Sequence, residues 1–333
     1  MEFNDNAELD TSQVQDQRGS SGGDGEGPGG GLGDVIGGVL GGGGGGRTIG
    51  RGGIAGGGIG LVVVIGVVLY MLFSGGGDGG AGSVGGLLGG LTANGGGTAD
   101  NASLEQECHT GADAASNDDC AVVAFVNSVQ SYWKGALASS GSTYRNAPTV
   151  FYSGATATGC GQGTAAMGPF YCPTDKKVYI DLSFWNELKT QFGADNSLFT
   201  QAYVLAHEYG HHVQDLLRTT DKVGSDKGPG SSSVRLELQA DCYAGVWAKH
   251  ASTVPGPDGQ VLITQITDTD ISNAVATAGK IGDDWIQAHL GGGRPDPSSY
   301  THGTSAQRQK WFEAGYTTGN AAACNTFQTA SLG

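Results

Sequence analysis

The pattern of hydrophobic and polar positions separates a glycine-rich stretch before residue 98 from a longer stretch with regular periodicity after it. Apolar residues at helical spacing predict helices at residues 118–137, 183–191, 197–217, 233–250, 270–287 and from residue 304 onward. Short runs of β-branched and aromatic residues predict strands at residues 149–152 and 178–182. Gly279 or Gly282 is expected to interrupt the helix at 270–287. The periodic part therefore predicts an α+β domain, mostly helical, with a small sheet.

Residues 54–74 are the most apolar segment of the chain and contain no charged side chain. A helix of this length spans about 30 Å, the thickness of the hydrocarbon core of a bilayer. The alternatives are a buried core helix and a cleaved signal peptide. The segment begins more than fifty residues into the chain and has polar or glycine-rich flanks, which fits neither alternative. We therefore expect a single transmembrane helix.

The charges beside this apolar segment predict its orientation. Arg47 and Arg51 precede it, and the first charged residue after it is Asp78. Positively charged flanks favour the cytoplasmic side of a membrane. We therefore expect a single-pass membrane protein with a cytoplasmic N-terminus and an extracytoplasmic domain.

Composition defines the parts on either side of the segment. The chain has 333 residues, of which 63 are glycine, and it carries 17 basic and 32 acidic side chains, a net charge of −15. Glycine-rich sequence cannot recover its ordering entropy by burying side chains. Residues 1–53 are therefore predicted to be a disordered acidic tail, and residues 75–101 a linker to a domain at residues 102–333. Without a basic patch, no nucleic-acid partner is expected.

All the cysteines follow the apolar segment: Cys108, Cys120, Cys160, Cys172, Cys242 and Cys324. An even number of cysteines on the oxidising side of a membrane predicts three disulfides. Six cysteines allow about fifteen pairings. Pairing the first with the second and the third with the fourth would leave Cys242 for Cys324.

The helix predicted at residues 197–217 contains the sequence HEYGH, which has the HExxH pattern. His207 and His211 are four residues apart, so both imidazoles project from one helical face and can bind one metal ion. Glu208 points about a quarter-turn away, where it can contact a water molecule beside that ion. The pattern is typical of zinc hydrolases. His212 lies off the line of the two histidines and is given no metal-binding role.

A third zinc ligand is expected from the next predicted helix. Glu237 and Asp241 are four residues apart and share one face of that helix, which is otherwise apolar. Glu237 is predicted to bind the zinc ion, and Asp241 to orient a ligating histidine through its other ring nitrogen. Burying two carboxylates without a partner would be costly, which favours a metal site over a solvated acidic pair.

Three segments, HEYGHHVQ, ELQADCYAG and HGTSAQRQKWF, resemble the neutral zinc metallopeptidase family of bacterial membrane-anchored proteins. The likeness runs over most of residues 108–319, and the glycine-rich segment before a single span is also similar. The resemblance implies a zincin-like fold in which the third ligand is a glutamate. It implies His207, His211 and Glu237 as zinc ligands and Glu208 as the catalytic base.

These observations predict a membrane-anchored zinc endopeptidase that hydrolyses extracytoplasmic proteins or peptides, with the zinc-bound water activated by Glu208. Tyr243, His250 and His302 are candidates for a second donor to the oxyanion, and His302 is favoured because it begins the third similar segment. Analogy with similar folds, and not any of these residues, suggests that an edge strand of the sheet binds an extended peptide by strand addition. The alternatives are a non-catalytic binding or scaffold module with a structural zinc site, and hydrolysis of a non-peptide amide or ester.

Overall fold

The computed structural model describes residues 1–19, 99–290 and 293–333. The strands are β1 (Glu2–Phe3), β2 (Val14–Asp16), β3 (Thr149–Tyr152), β4 (Ala155–Thr158), β5 (Gly161–Thr164), β6 (Phe170–Cys172), β7 (Lys177–Asp181) and β8 (Ile263–Gln265). The helices are α1 (Ala102–Glu107), α2 (Gly111–Ala114), α3 (Asp118–Ser139), α4 (Phe184–Thr190), α5 (Leu198–Leu216), α6 (Ser232–His250), α7 (Asp268–Lys280), α8 (Asp283–His289) and α9 (Ser305–Thr318). The architecture is α+β, as predicted.

The predicted membrane segment at residues 54–74 lies outside the described residues. Within the described ranges, no helix has both the length and the apolar character needed to cross a bilayer.

Two helix boundaries follow local sequence signals. The helix predicted at residues 270–287 is divided into α7 and α8, with Gly282 in extended conformation between them, so the expected interruption is confirmed. Thr304 accepts a hydrogen bond from the backbone of Gln307 and forms a capping box at the start of α9. The first boundary lies next to Asp283, and the second lies one turn before Arg308.

The central sheet has four strands in the order β2-β3-β7-β6. Strand β3 is parallel to both β2 and β7, whereas β6 is antiparallel to β7 and forms one edge. Helix α5 packs on this sheet through Tyr209, whose hydroxyl contacts Thr149 Oγ1 at 2.9 Å and donates to the Ala147 carbonyl at 2.9 Å. The backbone N–H of Tyr171 in β6 donates to Glu208 of α5, so the edge strand lies beside the helix that carries the HExxH pattern.

Residues 1–19 belong to the folded domain, which corrects the prediction of a disordered tail over residues 1–53. Strand β1 pairs with β8, and β2 pairs in parallel with β3 in the central sheet. Phe3, Ala7 and Val14 are buried in the main hydrophobic core. The prediction was wrong for these residues because the glycines of residues 1–53 all lie after residue 18, whereas residues 1–18 contain several apolar side chains.

This packing also bears on the predicted membrane orientation. A single crossing by residues 54–74 would place residues 1–19 and residues 99–333 on opposite sides of the membrane. Strands β2 and β3 could not then pair, because the bilayer would separate them. The described fold is therefore incompatible with an N-terminus that lies on the opposite side of the membrane from the domain.

Helices α6 and α9 pack with their backbones in contact. A Cβ atom on Gly245 of α6 would lie far inside van der Waals contact with the Phe312 carbonyl oxygen, and one on Gly315 of α9 would do the same with the Cys242 carbonyl oxygen. Only glycine fits at both positions, since real Cβ contacts are never this short. The close approach brings the first turn of α9 next to the carboxylates of α6.

Three disulfides join Cys108 to Cys120, Cys160 to Cys172 and Cys242 to Cys324. They match the pairing of neighbours in the sequence. Cys242–Cys324 ties the C-terminal segment to α6, the helix that supplies the two predicted carboxylates.

Candidate metal centre and active site

Three side chains from two helices converge between α5 and α6. His207 and His211 are one turn apart on α5, and Glu237 faces them from α6. Their ligand atoms all lie within 4.8 Å of one another, and all three residues are buried. The structure thus brings together the three residues that the sequence predicts as metal ligands.

The hydrogen bonds of the two imidazoles leave both inner nitrogens as acceptors. His207 Nδ1 donates to Asp241 Oδ1 at 2.8 Å, and His211 Nδ1 donates to Gln214 Oε1 at 2.9 Å. In the neutral imidazoles each Nε2 atom carries a lone pair, and the two Nε2 atoms are 3.1 Å apart. Two lone pairs at this distance repel each other unless a cation lies between them.

The distances within the cluster fit a zinc ion. His207 Nε2 lies 3.2 Å from Glu237 Oε2, and His211 Nε2 lies 3.5 Å from Glu237 Oε1. A tetrahedral ion with bonds of about 2.0–2.1 Å separates its ligand atoms by about 3.3 Å. The observed separations of 3.1 to 3.5 Å are close to this value, with the two Glu237 distances measured to different carboxylate oxygens, so the three side chains fit a zinc ion held between them.

The electrostatics of the cluster also favour a cation. Burial alone would lower the pKa of His207, but the carboxylates of Asp241 and Glu237 raise it to about 9. A proton can satisfy only one of the contacts between the three ligand groups, whereas a divalent ion satisfies all of them.

Asp241 occupies the position predicted for it, behind His207. Its side chain is fully buried, and its Oδ1 atom accepts the Nδ1–H of His207. A carboxylate in this place fixes the tautomer and the orientation of a ligating imidazole.

Glu208 follows His207 on α5 and faces β6, the edge strand of the central sheet. Its Oε2 atom accepts a hydrogen bond of 2.9 Å from the backbone N–H of Tyr171 in β6. Its Oε1 atom is buried and has no hydrogen-bond partner among the described residues. Burial raises the pKa of Glu208 to about 7, against the opposing charges of His207 and His211. A carboxylate with a pKa near neutrality can accept a proton and release it again.

His302 lies beside the cluster and is held by Asp283, the first residue of α8. His302 Nδ1 is 2.9 Å from Asp283 Oδ1, and Asp283 Oδ2 accepts the backbone N–H groups of Thr301, His302 and Gly303. Burial alone would lower the pKa of His302, but the charges of Asp283 and Glu237 raise it above its ordinary value. The Nε2 atom of His302 is buried and has no hydrogen-bond partner in the described part of the chain.

The other two candidates for an oxyanion donor have structural contacts elsewhere. Tyr243 packs edge-to-face against Trp133, with ring centroids 5.0 Å apart. His250 stacks on Tyr132, and its Nε2 atom is 2.8 Å from the Gly319 carbonyl oxygen. His212, to which no metal-binding role was given, lies between the Tyr171 hydroxyl and the Arg145 carbonyl.

Sequence reasoning missed four residues that support the site: Tyr171, Tyr203, Asp283 and Arg308. Tyr171 acts through its backbone N–H, and Asp283 acts through a carboxylate that reaches residues 301–303, so neither role leaves a local signal in the sequence. Tyr203 is four residues before His207, so helical spacing alone places it on the same face. Arg308 lies within HGTSAQRQKWF, where an arginine on a polar helix is ordinarily solvent-exposed.

Comparison with known proteins gives two kinds of match. A model of the family described as Putative neutral zinc metallopeptidase matches residues 1–327. The chain is 47% identical over 229 residues to the uncharacterized protein Rv2575 of Mycobacterium tuberculosis (strain ATCC 25618 / H37Rv), covering 68% of this chain and 76% of the relative. It is 47% identical over 201 residues to the uncharacterized protein YpfJ of Escherichia coli (strain K12), covering 59% of this chain and 66% of the relative. No solved structure matches the chain.

Proposed function

The chain belongs to the neutral zinc metallopeptidase family, and we propose that it is a zinc endopeptidase in which Glu208 is the general base. One observation carries the proposal. Glu208 Oε1 and His302 Nε2 are both buried next to the His207, His211 and Glu237 cluster without a hydrogen-bond partner in the described structure. Buried polar atoms are ordinarily paired, and unpaired ones at one place mark a site for an ion, water or substrate.

The ligand set supports a catalytic rather than a structural zinc ion. His207, His211 and Glu237 are the members of the metal-binding cluster found among the described residues. A structural site closes its tetrahedron with a fourth protein ligand, whereas a catalytic site leaves that position open. Zinc bound there would supply Lewis acidity at the fourth position.

The chain's own residues provide the remaining steps of peptide hydrolysis. Glu208 accepts the proton of the attacking water at Oε1 and passes it to the leaving amine, while Tyr171 N–H holds Oε2. His302 donates from Nε2 to the oxygen of the scissile carbonyl as negative charge develops. This donation requires a protonated imidazole, which the Asp283 carboxylate stabilises.

The edge strand β6 is the proposed contact for the substrate backbone. Strand β6 lies at the edge of the central sheet, and the N–H of Tyr171 points to Glu208 and away from β7. A peptide that adds to this edge as a strand passes directly beside Glu208. The arrangement supports a protein or peptide as substrate over a small amide or ester, which needs no strand edge.

The test compares the purified full chain with its Glu208→Gln variant, using Glu313→Gln as a matched control on the exposed face of α9. The full chain is required because residues 1–19 complete the sheet. Stoichiometric zinc is expected in all three proteins. Cleavage of casein is expected in the wild type and Glu313→Gln and is expected to fall by about 10²- to 10⁴-fold in Glu208→Gln.

Two other outcomes would contradict the proposed zinc endopeptidase. Stoichiometric zinc without cleavage of casein or of a peptide library in any of the proteins would favour the non-catalytic module with a structural zinc site. Absence of zinc from the folded, oxidised wild type would overturn the assignment of the cluster as a zinc site.

We further propose that residues 54–74 attach the protein to a membrane and that the domain lies in an oxidising, extracytoplasmic compartment. The three disulfides support that compartment. Because β1 and β2 pair within the domain, residues 1–19 lie in the same compartment as residues 99–333.

A cysteine pair tests this arrangement in cells. Glu2 and Gln265 are exposed and directly opposite each other between β1 and β8. In Glu2→Cys/Gln265→Cys we expect a disulfide between the two positions that Glu2→Cys alone does not form. If the protein is bound to the membrane but the crosslink does not form, the N-terminus lies in a different compartment from the domain.

A further inference from the structure

Arg308 has its guanidinium group in the interior of the domain, although it lies on the polar helix α9. Its side chain is 1% exposed. The Nε atom donates to Asp241 Oδ2 at 2.9 Å, and Nη2 donates to Asp241 Oδ1 at 2.9 Å. The remaining nitrogen, Nη1, donates to the Ile281 carbonyl at 3.2 Å. The arginine therefore forms a bidentate ion pair with one carboxylate through two parallel hydrogen bonds.

The same carboxylate holds the metal ligand His207. Besides the contact with Arg308, Asp241 Oδ1 accepts the Nδ1–H of His207 at 2.8 Å and the hydroxyl of Tyr203 at 2.7 Å. Helices α5, α6 and α9 thus meet at one buried carboxylate. Asp241 connects α9 to the metal cluster without itself being a ligand.

The pairing with Arg308 fixes the charge and the orientation of the Asp241 carboxylate. A fully buried carboxylate without a cation would take up a proton or turn toward another donor, because an unpaired buried charge is very costly. The guanidinium neutralises the charge, and its planar fork fixes the plane of the carboxylate. Asp241 therefore remains an ionised acceptor in one orientation, and His207 Nδ1–H must point to it. The lone pair of His207 Nε2 then points into the cluster.

We propose that Arg308 is a positioning residue for the metal ligand His207 and that it acts through Asp241. The proposal rests on the proposed function only in taking zinc as the metal. In the described hydrogen bonds Arg308 contacts neither the metal ligands nor the edge strand β6, so its effect should appear in metal binding before it appears in catalysis.

The test measures zinc affinity of the full chain by competition with a chromogenic chelator, and the visible absorption spectrum of the cobalt-loaded protein. Arg308→Met is expected to weaken zinc binding by about 10- to 100-fold, the usual effect of losing a group that supports a metal ligand. Arg308→Lys keeps the charge but loses the fork, and a smaller weakening is expected. Both variants should change the cobalt spectrum, because it reports the arrangement of the ligands.

A double-mutant cycle separates action through Asp241 from a general effect on the fold. If Arg308 acts through Asp241, the Asp241→Asn/Arg308→Met variant will bind zinc no more weakly than Asp241→Asn alone. Additive losses would overturn the proposal. Gln309→Met is the matched control, since Gln309 is the next residue of α9 and donates to the Val275 carbonyl at 3.1 Å. Its zinc affinity is expected to stay within about twofold of wild type.

Two further results decide the remaining cases. If Arg308→Met does not fold, the proposal is tested with Arg308→Lys and Tyr203→Phe. Unchanged zinc affinity and unchanged cobalt spectra in both variants would overturn the proposal. Zinc binding is measured without substrate. If the variants bind zinc with the expected affinities but the wild type cleaves no substrate, the role of Arg308 stands and the proposed peptidase activity is wrong. A wild type that binds no zinc would overturn both.

Discussion

The metal centre and the N-terminal segment, residues 1–19, are both buried parts of one domain, but they are encoded in different ways. In the metal centre, His207 and His211 are one helical turn apart, and Glu237 lies on the next helix. In the N-terminal segment, β2 pairs with β3, more than a hundred residues away along the chain. The first arrangement is visible in local spacing. The second exists only after the chain has folded.

The difference predicts that the N-terminal segment contributes mainly to stability. Phe3 is 8% exposed, and its ring lies 5.6 Å from that of Phe125 in α3. Phe3→Ala should lower the free energy of unfolding by about 3–5 kcal/mol, the usual cost of removing a buried aromatic ring. Denaturant unfolding of the full chain measures this change.

The control for Phe3→Ala is Leu217→Ala, because Leu217 is 41% exposed. This substitution is expected to change the free energy of unfolding by less than about 0.5 kcal/mol. If Phe3→Ala also costs less than about 0.5 kcal/mol, the segment does not pack as described. Zinc affinity of the folded Phe3→Ala protein should equal that of wild type, which would show that the two regions are energetically separate.

In contrast, His302 is expected to contribute to catalysis with little effect on the fold. His302→Asn should lower kcat by about 10²- to 10³-fold, corresponding to about 2.7–4 kcal/mol of transition-state stabilisation, because it removes the donor to the oxyanion. Steady-state peptide cleavage measures kcat, and zinc content should remain stoichiometric.

His109→Asn is the control for His302→Asn, since the side chain of His109 is 63% exposed. It should leave kcat unchanged. Asp283→Asn should have a smaller effect than His302→Asn, because it removes the partner of the imidazole and not the imidazole itself. Full activity in His302→Asn would show that the oxyanion is stabilised by another group.

The same contrast explains what the sequence could predict. The two ligand histidines, Glu208, Glu237 and Asp241 are separated by four residues or fewer within their own helices, so helical geometry alone places them on the correct faces. The disulfide pairing also followed from sequence proximity, with two bridges that each span 12 residues. Local geometry was sufficient in all these cases.

What the sequence could not predict depends on contacts between distant elements. Arg308 looks solvent-exposed in its own helix and becomes buried because Gly245 and Gly315 allow α6 and α9 to touch. Strand β2 is three residues long, too short for a period-2 pattern to be recognised. The glycine-rich sequence after residue 19 further obscured the apolar residues before it. In each case the information lies in packing between elements and not in the spacing within one.

The smallest predicted effect concerns the clamp that holds the end of the N-terminal segment to α3. Arg18 donates to both carboxylate oxygens of Asp16, at 2.9 and 2.6 Å, and to both of Asp119, at 3.0 and 2.5 Å. Its side chain is 26% exposed. Arg18→Met should therefore lower the free energy of unfolding by only about 1 kcal/mol at pH 7. Lys189→Met, on the exposed face of α4, is the control and should change it by less than about 0.5 kcal/mol.

The pH dependence of this difference identifies its origin. Burial alone would raise the pKa of Asp16, but the hydrogen bonds and charge of Arg18 outweigh burial and hold it below its ordinary value. As the pH falls, the unfolded chain therefore binds a proton at this position before the folded chain does. The stabilisation is fully present above about pH 4, the ordinary pKa of aspartate, and is lost as the pH falls through the lower pKa of the folded state. The gap between wild type and Arg18→Met should accordingly narrow in acid. A gap that stays constant down to about pH 3 would instead assign the effect to packing of the guanidinium over Phe151, 5.0 Å from the ring centroid.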